Sequence, residues 1–222
     1  MIKYGIKVCT TNSYIQYGSH TYIPMFMGLT VRFLKIIALV LLINACTYSE
    51  AERAEEILRA HNIPVSEVEL IYNIQINNLE VTENLLLAGI DPNTVDEDEI
   101  SALMWASDLG HKKIAELLIE HGADVNYANQ NFFPLLTASS EGHQHIVEIL
   151  VENGADVNLY NSDGVTALMG AAIGGNDDIV KMLLYSGANP LIVTANGTRA
   201  HQLALDEGHD EIALFIRGYN DR

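Results

Sequence analysis

The sequence predicts an all-α solenoid, a stack of helix pairs with projecting turn tips, and three observations carry that expectation. Gly89, Gly122, Gly154 and Gly187 each follow a leucine-rich run and open the strings G-I-D-P-N, G-A-D-V-N, G-A-D-V-N and G-A-N-P-L, so one signature returns every 32 or 33 residues. Gly110-His111, Gly142-His143, Gly175-Asn176 and Gly208-His209 form a second set in phase with the first. Between the glycines, apolar residues fall at helical spacing, as in Ala102–Leu109 and then Ile114, Leu117 and Leu118 on one face. A helix reverses most cheaply through a left-handed residue, which glycine adopts without a Cβ penalty, so each glycine reads as a helix stop.

The elements follow in order. Ala51–His61 (A-E-R-A-E-E-I-L-R-A-H) reads as a solvated capping helix. The first unit, Val65–Asn93, carries Asn77-Asn78 in place of Gly-His and lacks a turn-tip insertion. The later units start their first helices at S-A-L-M (Ser101–Met104), F-P-L-L (Phe133–Leu136), T-A-L-M (Thr166–Met169) and R-A-H-Q (Arg199–Gln202). Ser101 and Thr166 can cap by accepting a backbone N–H, and Pro134 suits a first helical position. Phe133 and Arg199 offer no such oxygen, so a looser start is expected in the third and fifth units. Ile212, Phe215 and Ile216 make the last apolar stripe before a polar tail. The expected array is a capping helix plus about five repeats, because a single repeat cannot bury its own apolar face.

A period near 33 with a turn and two helices resembles the ankyrin-repeat family, from Val65 to the end of the chain. The family's T-P-L-H start survives in degenerate form, and none of the four copies keeps the histidine. The resemblance implies capture of a protein partner on the turn tips and on the exposed positions of each first helix. Carried over by repeat, it selects Glu97, Asp98, Ile100, Trp105, Asp108 and Leu109 in the second. In the third it selects Gln130, Phe132, Ser140 and Glu141, in the fourth Ser162, Asp163, Val165 and Ile173, and in the fifth Asn196, Thr198, Asp206 and Glu207. Trp105, the sole tryptophan, suits an aromatic anchor or else packs between neighbouring first helices. Phe132 and Phe133 sit where the period shortens to 32, and one of them should protrude. Tyr127 and Tyr160 could extend an aromatic edge, and Asp96-Glu97-Asp98-Glu99 is either a solvated loop or a binding finger.

Residues 1–48 differ in composition. Arg32 and Lys35 precede an apolar run, Ile36–Ile43, that ends in I-N-A-C at Cys46. This resembles a bacterial lipoprotein signal, with a positive n-region, a short apolar h-region and a small residue before the cut. Ala45 and Ile43 fit the lipobox, Asn44 is atypical, and Cys46 becomes the lipidation site. An uncleaved anchor or a buried strand is the other reading, although the run is shorter than the roughly 17 to 25 residues a span needs. A start at Met25 or Met27 would give a normal signal length. The division is therefore an N-terminal extension over 1–24, a signal-type segment over 25–45, an anchor linker and capping helix over 46–64 and the repeats over 65–222. Met1–Pro24 reads as an over-extended start or as an alternative isoform, and a start downstream of the signal would leave a cytosolic form.

Charge and cysteine content narrow the functional classes. Residues 1–45 hold four basic and no acidic residues, leaving 8 basic against 29 acidic for the rest, a net of −21. That field excludes nucleic acid and favours encounter with a basic protein surface. The only cysteines are Cys9 and Cys46, so the repeats carry no disulfide framework. His143-Gln-His145 has no third ligand beside it, and Asp177-Asp178 and Asp206-Glu207 diverge on their helices. No G-x-S-x-G, phosphate-cradling glycine loop or H-E-x-x-H occurs. No catalytic residue, metal ligand or cofactor is therefore assigned, and an enzyme is not expected.

The expectation is a non-enzymatic lipoprotein, monomeric before binding, held in the bacterial envelope by its lipid alone. It would face the periplasm from the inner or the outer membrane and bind and neutralise one protein. In this design it resembles immunity proteins that accompany type VI secreted antibacterial lipases, so the implied partner is a phospholipase toxin with a basic docking surface. The alternative is a periplasmic ankyrin partner that supports an oxidoreductase such as catalase.

Overall fold

Hydrophobic periodicity, glycine stops and side-chain caps produce eleven helices and no strand among the residues described, 49–220, in a computed structural model. The N-terminal extension, the signal-type segment and Cys46 lie outside the described residues. Helix α1 (Glu50–Ala60) buries Ala54 and Leu58 against the rest of the array and leaves its glutamates in solvent. Five helix pairs follow: α2 (Glu67–Gln75) with α3 (Leu79–Leu87), α4 (Ala102–Asp108) with α5 (Lys112–Glu120), and α6 (Pro134–Glu141) with α7 (Gln144–Glu152). The last two are α8 (Ala167–Ile173) with α9 (Asp177–Tyr185) and α10 (Ala200–Asp206) with α11 (Asp210–Asn220). First helices stack on first helices and second on second, while α1 packs on α3 and so closes the layer of second helices. One continuous core results. It runs from Leu58 through Leu85, Leu118, Leu150 and Leu183 to Ile216.

The first helices stack closely because they are built from small residues. Ala102, Ala106, Ala138, Ala167, Ala171, Ala200 and Ala204 are all buried. Gly170 goes further: a Cβ there would come within 2.4 Å of Ser140 Oγ and 2.8 Å of Leu136 Cδ1, so its role is packing.

The recurring strings are explained by hydrogen bonds between repeats. In G-A-D-V-N the aspartate holds its own turn: Asp124 Oδ1 accepts the Asn126 N–H at 2.9 Å, as Asp156 does for Asn158. The asparagine then reaches the next unit. Asn93, Asn126 and Asn158 each accept the N–H of Asp124, Asp156 and Asn189 at 2.7 Å and donate to the carbonyls of Gly122, Gly154 and Gly187. Those glycines have φ between +86 and +94°, and a methyl group added at any of them would meet nothing within 4 Å, so the requirement there is conformational alone.

Three of the four Gly-His-type positions serve as a second stitch, the exception being His111, whose buried Nε2 has no partner among the described residues. The imidazole Nε2 of His143 lies 2.9 Å from the Asp108 carbonyl, and that of His209 lies 3.1 Å from the Ile173 carbonyl. Asn176 takes the same part by donating to the carbonyls of Ser139 and Ser140. Asn77 supplies the left-handed residue in the first repeat with φ +58°.

Two helix starts are firmer than expected. Phe133 and Arg199 make no side-chain cap, yet both keep the extended backbone of Ser101 and Thr166. Pro134 follows Phe133 and has no N–H to satisfy. Arg199 is served in reverse, because its backbone N–H donates to Gln202 Oε1 at 3.0 Å. The correction has a physical reason: the start of a helix can be closed by the residue three positions on as well as by the cap residue.

Candidate protein-binding face

Each projecting tip is a tight hairpin locked by one side chain. Asp96 Oδ1 accepts the N–H groups of Asp98 and Ile100, both at 3.0 Å, and Asn161 Oδ1 does the same for Asp163 and Val165. Asn129 holds Asn131 and Phe132, and Thr194 Oγ1 holds Thr198. The chain turns through a left-handed residue at Glu99, Gly164 and Gly197. The third tip is one residue shorter and has no such residue, which accounts for the period of 32.

The two phenylalanines of the third tip part ways. Phe133 occupies the N-cap position of α6 and is 1% exposed, whereas Phe132 stands out at 48%. Phe132 joins Ile100, Trp105 and Asp108, three further residues selected by the family pattern, around a cleft of about 120 Å³ completed by Met104 and Thr137. The second and third repeats thus share one small apolar cleft with a carboxylate in its lining. Trp105 is half-buried there, and its indole Nε1 donates to Asp96 Oδ2 at 2.7 Å.

None of the selected residues is buried. Glu97, Asp98, Leu109, Gln130, Phe132, Glu141, Ser162, Asp163, Ile173, Asn196, Asp206 and Glu207 are exposed. Ile100, Trp105, Asp108, Ser140, Val165 and Thr198 are half-buried. Some already have internal work: Ser140 Oγ donates to the Leu136 carbonyl, and the backbone carbonyls of Asp108, Ser140 and Ile173 receive the inter-repeat stitch. The residues of the fourth and fifth repeats do not line this cleft. Tyr160 is 61% exposed, while Tyr127 is half-buried with its hydroxyl 3.4 Å from the Glu99 carbonyl, so the two do not present an equal edge.

A larger groove of about 500 Å³ lies one repeat earlier, between α2 and the second-repeat tip. Glu67, Val68, Ile71, Tyr72 and Gln75 form one wall, and Val95, Asp96 and Glu97 form the other. Val68 is 78% exposed and Tyr72 53%, so this wall is apolar and uncovered. The family pattern, carried over from the second repeat onward, reaches it only at Glu97. A signal was present: Val68, Tyr72 and Ile76 follow one another at intervals of four, beside the core stripe of Leu70, Ile71 and Ile74. The first repeat lacks a tip, so nothing in its own unit shields that second stripe.

The two histidines of His143-Gln-His145 point to separate tasks, His143 in the stitch and His145 beside Glu148 Oε2 at 3.3 Å. Among the described residues no helix is long and apolar enough to cross a membrane. A family model for ankyrin repeats, in three copies, matches residues 70–161 and 153–221. No curated protein matches the chain.

Proposed function

The chain belongs to the ankyrin-repeat family, a family of protein–protein interaction modules, and from that premise we propose that it captures and neutralises one protein as an immunity lipoprotein. The proposed partner is a secreted antibacterial phospholipase with a basic docking surface, and the proposed place is the periplasmic face of the envelope, with the lipid on Cys46. The observation that carries capture is the face from Val68 to Phe132, where exposed apolar side chains lie among carboxylates. Buried apolar anchors supply most binding energy, and an acidic rim speeds the approach of a basic surface. A rigid stack loses little ordering entropy on docking, which favours tight capture. The proposed tether fits that partner, because an inhibitor held at the membrane would be concentrated where a lipase acts.

Co-purification from the producing cell, with mass spectrometry of the captured protein and of the mature N-terminus, tests the proposal. The expected result is a lipase-fold protein in stoichiometric amount and an N-terminus at a lipidated Cys46. Cells carrying Cys46→Ser should lose protection against that lipase delivered from outside. Recovery of a haem enzyme instead, or of a chain that never incorporates labelled palmitate, would overturn the immunity reading.

A further inference from the structure

The turn tips form a ladder that lacks its first rung. The fourth tip donates to the third through the Ser162 N–H to the Gln130 carbonyl (3.0 Å) and Asn161 Nδ2 to the Asn131 carbonyl (2.7 Å). The fifth donates to the fourth through the Ala195 N–H to the Asp163 carbonyl at 2.7 Å. The third reaches the second by side chains, with Asn129 Nδ2 3.3 Å from the Glu99 carbonyl. Every rung thus hands its donors toward the N-terminal side. Glu97 follows the turn-locking residue as Ser162 and Ala195 do, but Ile63-Pro64 runs directly into the first helix pair without forming a tip. Among the described residues neither the Glu97 N–H nor that of Gln130, its counterpart in the third tip, has an acceptor, and of the two only Glu97 lines the uncovered groove.

The groove's chemistry is of one kind. Its floor and walls offer Val68, Ile71, Tyr72, Gln75 and Val95, while Glu67, Asp96 and Glu97 supply three carboxylates and no cation among the described residues lines it. None of these acids is in an ion pair among the described residues. Asp96 is committed to its turn and to Trp105, which leaves Glu67 and Glu97 for a ligand.

We infer that the groove receives a short extended segment of the partner that takes the place of the missing tip. An apolar side chain of that segment enters between Val68, Tyr72 and Val95, a flanking lysine or arginine pairs with Glu67 and Glu97, and a backbone carbonyl accepts the Glu97 N–H. Main-chain bonding then gives register, and the alternation of apolar and basic side chains gives selectivity. This deepens the proposed capture of a basic protein and rests on it for the identity of the segment's source.

The full chain in detergent, titrated with a blocked glycine-flanked Lys-Leu-Arg peptide, provides the test. Trp105 is the only tryptophan and is bonded to a groove residue, so its emission should change on binding, and exchange of the Glu97 amide hydrogen should slow. Peptides with Glu-Leu-Glu or Lys-Ser-Arg at the centre should bind far more weakly. Val68→Asp and Tyr72→Ala replace exposed side chains and should keep the helical circular dichroism, yet each should weaken the peptide by about tenfold or more. An absence of binding at millimolar peptide, equal binding of the acidic peptide, or indifference to Val68→Asp would overturn the inference. The same variants separate it from the functional proposal. If the co-purified partner is captured equally by Val68→Asp, the groove inference fails and immunity stands. If the peptide binds but no lipase is captured, immunity fails and the groove stands.

Discussion

Trp105 and Asp96 are joined by a hydrogen bond of 2.7 Å from the indole N–H to a carboxylate whose other oxygen holds the turn of the acidic tip. The bond couples a first-helix aromatic to the loop that precedes it. Asp96 is therefore structural, whereas Glu97 and Asp98 beside it are exposed. Asp96→Asn keeps an oxygen for the two turn amides and removes the acceptor for the indole. The expected loss is about 1.5 to 3 kcal/mol in urea unfolding, typical of a hydrogen bond to a charged group, with an upfield shift of the Trp105 indole proton. An unmoved indole signal would show that the contact is absent in solution.

Charge reversal of Glu97 and Asp98 to lysine should slow association with the captured partner at low salt. The difference should shrink as ionic strength rises, because exposed charges are screened over about 10 Å at 0.1 M salt. Association rates measured at two salt concentrations decide this. Equal rates at low salt would leave the acidic finger without a role in capture.

Gly164 and Gly197 have φ of +76 and +81°, but only one of them is crowded. A Cβ at Gly164 would lie 2.9 Å from the Val193 carbonyl oxygen, and one at Gly197 would meet nothing within 4 Å. Gly197→Ala should cost about 1 to 2 kcal/mol from its left-handed backbone alone. Gly164→Ala should cost more, since a backbone neighbour must also move. Glu99 occupies the same place with φ +58° and a side chain, so Glu99→Gly should leave stability unchanged or slightly higher. Thermal unfolding of the three variants would test the ranking Gly164→Ala, Gly197→Ala, Glu99→Gly, from least to most stable.

The hydrogen bond from His145, followed by that from Gln144, holds the Glu148 carboxyl below the ordinary carboxylate range. A lowered folded value means that its contribution to stability is complete above the unfolded carboxylate value and is lost as pH falls through the folded one. NMR titration should place the Glu148 midpoint below that of a free glutamate, and His145→Ala should raise it. Coincident midpoints in the two proteins would contradict the bond.

The starts and stops of the helices are legible in the sequence because their determinants are local. Glycines at left-handed positions, Ser101 and Thr166 as caps, and the Asp-Asn pairs of the tetrads each act within a few residues or across one repeat interval. The start of α10, in the fifth repeat, is harder to read, because Arg199 is closed by Gln202, whose side chain carries no separate sign that it folds back on the residue three before it.

What stands on the surface was decided by tertiary packing. Phe132 and Phe133 are adjacent and chemically alike, yet Phe133 takes the N-cap position that is buried at Ser101 and Thr166 as well, while Phe132 is left in a cleft shared with Trp105. The groove beside Val68 and Tyr72 exists because the neighbouring tip was never built, and periodicity within a helix does not report a neighbour's absence. Residues about 30 positions apart meet only when the repeats stack. Repetition established the order of the elements, while contact between repeats determined which side chains remained available to bind.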